Sequence, residues 1–171
     1  MGITHFSAVS GKDGLYVGAK DAEVQVADAT GVLYHQGTAM TASPARKVVV
    51  VPLGAVSSTT TFCVFVAPAA GYLNSCKLVT KNAIAANDDN YWTIALTDKG
   101  AAGAGTDTIA SKTTKAEGGA AFASYTAWDI GTLSSTHKVL AAGDVVTLTL
   151  TKTESAVALA EAAVMLEFVY A

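Results

Sequence analysis

Apolar residues alternate with polar ones, at a period of two, over the C-terminal two thirds of this chain. Before that they follow no sustained period. In residues 1–56 they come in small clusters: Leu15-Tyr16-Val17, Val24-Gln25-Val26 and Val32-Leu33-Tyr34. Each is too short for a buried helix, and Val24 and Val26 suit one short strand. Thr41-Ala42-Ser43-Pro44 reads as a turn, because Pro44 fixes its own φ and disfavours helix at Ser43. Lys47-Val48-Val49-Val50-Val51-Pro52 is a β-branched run that Pro52 ends or confines to a sheet edge. About 45 residues without regular structure are abnormal inside a compact domain. Yet this stretch is too apolar and too aromatic for a free linker. The pattern predicts an extended, irregular N-terminal arm over residues 1–56, ordered against another surface. Tyr16, Val17, Leu33 and Tyr34, the largest apolar groups of a Gly-rich segment, are its expected anchors.

From residue 57 the pattern is β. Residues 59–66 are β-branched and aromatic and stop at Pro68 and Gly71. Residues 72–81 alternate in part, with Tyr72, Asn74, Cys76 and Leu78 assigned to one face and Leu73, Ser75, Lys77 and Val79 to the other. Asn87-Asp88-Asp89-Asn90 is a turn. The strand after it sets Trp92, Ile94 and Leu96 on one face, the expected core face. A Gly-rich loop over 99–105, a short strand near Ile109 and a loop through Gly118-Gly119 follow. Residues 122–130 form the next candidate strand, with Phe122, Ser124, Thr126, Trp128 and Ile130 on one side. The clearest strand is 145–152, where Val146, Leu148 and Leu150 face one way and the threonines the other. Ala and Leu in 156–163 favour helix, whereas 164–170 reads as a terminal strand. About seven short strands with Gly-rich turns predict an all-β chain. Its body, residues 57–171, is expected to be an antiparallel β-sandwich or jelly roll.

Composition narrows the partners. Eleven Lys+Arg against fourteen Asp+Glu leave no basic excess for phosphate binding, so no nucleic-acid partner is expected. Half of the residues are hydrophobic and 15% are charged, which excludes disorder over the whole chain. No run of ~18 apolar residues is uninterrupted, so no membrane partner is expected. The N-terminus has neither a basic nor an apolar leader segment, and Phe6 breaks the myristoylation pattern that Gly2 begins. A cytoplasmic site of assembly follows as the expectation. The apolar content lies in Ala and Val, which bury little area each, so buried surface between copies is an expected supplement.

Chemistry is sparse. Cys63 and Cys76, read as lying on neighbouring strands, make no disulfide framework and read first as small buried hydrophobes. His5, His35 and His137 are scattered without metal-ligand spacing. No nucleophile elbow, zinc-protease run or phosphate loop occurs. Asn87-Asp88-Asp89-Asn90 lacks the Glu of a calcium loop and reads as a plain turn. Tyr72, Tyr91, Trp92, Tyr125 and Trp128 could stack on a sugar, but alternating aromatics in strands more often fill cores. Nothing assembles a nucleophile, a base and an orienter, so neither an enzyme nor a cofactor is expected.

One resemblance rises above class level. Residues 65–79 form an apolar strand, a Pro68-Ala69-Ala70-Gly71 corner and a second strand. Asp88-Asp89-Asn90-Tyr91-Trp92 then leads a strand, and Ala141-Ala142-Gly143-Asp144 leads another before the terminal strand. In this order the stretch from Phe62 to Tyr170 resembles the β-sandwich of tailed-bacteriophage capsid decoration (cement) proteins. The opening Met-Gly-Ile-Thr-His-Phe-Ser is similar to that of many small phage structural proteins. The resemblance implies a virion protein on the outer capsid surface that binds the major capsid protein and stabilises the shell, often as a homotrimer. It brings no functional residue set. The runner-up is a receptor- or glycan-binding module of a phage fibre or tail.

Overall fold

The computed structural model describes residues 45–171 in full, together with the backbone of four short strands before them. These strands are β1 (Leu15–Val17), β2 (Val24–Val26), β3 (Leu33–His35) and β4 (Thr38–Ala39), paired in that order as an antiparallel meander. Residues 1–43 form one unit and residues 44–171 a second. The first region is therefore more regular than its lack of periodicity predicts, because three-residue strands are too short to establish a period. In the meander Tyr16 pairs with Gln25, which pairs with Tyr34, while Leu33 pairs with Val26. The expected anchors Tyr16, Val17, Leu33 and Tyr34 thus fall on β1 and β3. Their side chains lie outside the described residues.

The second unit is all-β, with two antiparallel sheets across one hydrophobic core. Its strands are β5 (Arg46–Val56), β6 (Thr60–Val66), β7 (Gly71–Val79), β8 (Trp92–Asp98), β9 (Asp107–Thr113), β10 (Trp128–Asp129), β11 (Val139–Leu140), β12 (Val145–Lys152) and β13 (Leu159–Tyr170). One sheet has the order β10-β7-β13-β5, with β11 also pairing β7. The other has the order β6-β12-β8-β9. On β8 and β12 the inner face follows the period-two pattern that the sequence predicts. Trp92, Ile94, Leu96, Val146, Leu148 and Leu150 are all sealed from solvent, and Leu148 pairs with Leu96 and Leu150 with Ile94.

The boundary between the two regions moves. Residues 46–56, assigned by sequence to the arm, form β5 and pair with β13 along their length. Pro52 does lie on an edge strand, as its missing N–H requires. Near its end, Gly54 at φ +69 opens a bulge that a side chain would strain. The C-terminal run contains no helix, because 159–170 is the central strand of its sheet and cross-strand pairing overrides Ala propensity. The Asn82 side chain supports its start, donating to Ala158 O at 2.9 Å and accepting from Ala160 N at 2.7 Å.

Two other readings change for local reasons. The alternation assigned to β7 breaks at a bulge: Ser75 pairs with Glu167, but Leu73, not Asn74, pairs with Phe168. Leu73 therefore joins Cys76 and Leu78 in the core, and Asn74 and Ser75 both lie outside it. The candidate strand 122–130 shrinks to β10. Phe122 makes an isolated bridge with Ile84, and the chain then turns through Tyr125 at φ 54, whose N–H donates to Thr80 O. Cys63 and Cys76 lie on strands of opposite sheets, and both are free thiols.

Candidate interaction surfaces

Among the described residues no group of three His, Cys, Asp or Glu could hold a metal ion. Three side chains of the Asn87–Asn90 turn accept tethers. Asn87 Oδ1 accepts from the N–H groups of Asp89 and Asn90, Asp88 Oδ1 from Glu117 N, and Asn90 Oδ1 from Ser155 N. Cys76 is buried, and burial first and the charge of Asp129 second push its thiol up to about 12, which disfavours the thiolate. His137 is exposed, with Nδ1 3.2 Å from Thr108 O.

The five aromatics considered for sugar stacking are dispersed. Trp92 is in the core, with Nε1 donating to Val157 O at 2.8 Å. Trp128 packs on Phe122 at 3.8 Å between centroids and carries the Lys112 ammonium 4.3 Å from its ring. Tyr72 lies beneath Lys138, and Tyr125 is 72% exposed on its turn. Tyr91 borders an open cleft of about 360 Å³, which it shares with Thr93, Ser111, Lys112, Thr113, Lys115 and Gly118. Spacing in sequence could not reveal that cleft, because it joins residues from the β8 and β9 ends.

The two outward sheet faces differ in chemistry. On the β6-β12-β8-β9 sheet, one register row is Thr61, Thr149, Ala95 and Ser111, and the next is Cys63, Thr147, Thr97 and Thr108. Neither row carries a charge. Neighbouring strands lie about 4.8 Å apart, and across that gap the Thr61 and Thr149 hydroxyls are in hydrogen-bond contact at 3.0 Å. Thr147 Oγ1 is enclosed without a partner, the one such side-chain atom among the described residues.

The opposite sheet carries an apolar strip with ion pairs around it. Val48, Val50 and Pro52 of β5 stand across from Glu167, Met165 and Ala163 of β13. Val48 and Val50 are 59% and 62% exposed. Beside the strip, Glu167 is held by three donors: Arg46 Nη1 at 2.7 Å, Asn74 Nδ2 at 2.9 Å and Ser75 Oγ at 3.4 Å. The Asn74 amide chiefly, then the Arg46 guanidinium, holds its carboxyl below the ordinary 4.5. A lowered folded-state value adds stability that is complete above pH 4.5 and is lost as pH falls through the lowered value. Glu167→Gln should therefore lower the urea midpoint at neutral pH. The gap to the unmodified protein should close on acidification, and a gap that widens in acid would contradict this assignment.

No protein-family model, no curated protein and no solved structure matches this chain.

Proposed function

We propose that this is a virion structural protein that binds the outer surface of a phage capsid and stabilises the shell, a decoration or cement protein. The observation that carries the reading is the strand order. Successive strands pass between the sheets at every step except β8 to β9 and β10 to β11, giving β5-β13-β7-β10/β11 against β6-β12-β8-β9. We read this order as a jelly roll, the eight-stranded architecture used by viral capsid and lectin domains. The two uncharged, hydroxyl-lined rows of the β6-β12-β8-β9 sheet support it, since they can lie on a protein lattice with little charge to desolvate. Many copies on one particle gain avidity, so each contact can be weak. Threefold association is carried by the resemblance alone, because lattices offer threefold positions; composition equally allows a dimer.

Co-sedimentation of the full chain with assembled shells tests the reading. Saturable binding at a fixed ratio to the major capsid protein, with shells that resist heating better when decorated, is the expected result. Removing residues 1–43 leaves every strand of the second unit in place, and this deletion should weaken shell binding at least tenfold without unfolding the body. Chains that stay in the supernatant at every shell concentration would remove the proposal. The Tyr91 cleft favours a second reading, a glycan-binding module of a fibre or tail, because an aromatic ring beside threonine and serine hydroxyls suits a sugar. A positive glycan array together with failure to bind shells would select it.

A further inference from the structure

We infer that the edge of β5 away from β13, which no strand pairs among the described residues, is a docking edge for β5 of a second copy, joining two chains about a twofold axis through one continuous sheet. Backbone parity defines the edge. Tyr170 N donates to Ala45 O, so Ala45, Lys47, Val49 and Val51 turn their polar groups toward β13. The intervening residues Arg46, Val48 and Val50 turn theirs away. Pro52 shares the outward parity, so the N–H it lacks would have pointed to the open side.

The other sheet edges among the described residues are poorer templates. β10 and β11 are two residues each, and the ladders of β6 and β9 are broken by bulges. Short and bulged edges resist pairing. The β5 ladder runs without a register shift from Arg46 to Pro52 and presents Val48 and Val50 to solvent.

A second copy fits because the open set is symmetric. With the axis at Val48, Val48 pairs with itself and Arg46 pairs with Val50 of the partner copy, so every open N–H of the three meets an open C=O. Arg46 then never faces its own counterpart, which keeps like charges apart. The valine strips of the two copies merge on one face. This contact is independent of capsid binding and replaces the threefold unit with a twofold one.

The register makes a prediction in which charge sign matters. Val50 would sit against Arg46 of the other copy, so Val50→Glu should tighten the dimer and Val50→Lys loosen it, about tenfold each way. Sedimentation equilibrium of the full chain reads both. A contact held only by apolar area would be weakened by either charge, and that result would overturn the register. In a Cys63→Ser background, Val48→Cys should cross-link to its own counterpart under mild oxidation, and Val50→Cys should not. Amide exchange needs no variant: Arg46, Val48 and Val50 should be protected in proportion to dimer. A monomer at every concentration overturns the proposal, whether those amides exchange freely or are protected by the chain's own residues.

Discussion

Leu148→Asp should abolish cooperative folding, while Thr149→Asp, one residue along the same strand, should be tolerated. Leu148 is sealed in the core opposite Leu96 and Phe62, with no cation among these ladder neighbours. A carboxylate there either stays charged without a partner or takes up a proton and remains an unsatisfied polar group. Either outcome costs several kcal/mol, against a total of about 5–15 kcal/mol for a typical domain. Thr149 faces outward and touches the Thr61 hydroxyl, so its replacement should cost about 1 kcal/mol or less. Urea unfolding followed by tryptophan fluorescence measures both. A soluble Leu148→Asp chain with a sharp transition would mean that β12 is one residue out of register.

Trp92→Ala should cost about 4 kcal/mol, the usual range for emptying a buried Trp site. Its ring is fully enclosed, and Nε1 ties β8 to Val157, just before β13 begins. Alanine leaves both a cavity and an unpartnered Val157 carbonyl. Trp92→Phe keeps most of the apolar contact and loses the bond, so about 1–2 kcal/mol should go. The midpoint in urea should fall with little change in slope. Equal losses for Ala and Phe would assign the effect to the hydrogen bond rather than to packing.

The readable parts of the fold were those where one physical rule acted alone. The β8 and β12 strands alternate cleanly because one face meets the core and the other meets solvent, and nothing interrupts them. In β7, a bulge at Asn74 reverses the alternation, and Asn74 there bonds Glu167 of β13, 93 residues away and outside any local window. The helical propensity of residues 156–163 yields to pairing with β5 and β7, which no local window contains. The pattern attaches β5 to the arm, because its valines do not alternate with polar residues. It is an edge strand with valine on both faces. The Tyr91 cleft and the Glu167 cluster are assembled by register, and register is not written in spacing.

The placement of β13 has a consequence for how the molecule is made. It is the last strand of the body, yet it lies between β5 and β7, so Arg46 waits for a Glu167 that is 121 residues further on. Closing so long a loop must precede most of the reward, and chains dominated by such pairings fold in milliseconds to seconds rather than microseconds. During synthesis β5 and β7 emerge with the sides that β13 will fill still bare, and each is a valine- or leucine-rich template for a foreign strand. The hazard is one of timing: soluble yield is governed by how long the nascent sheet stands open, and a chain arrested before residue 159 has no way to close it.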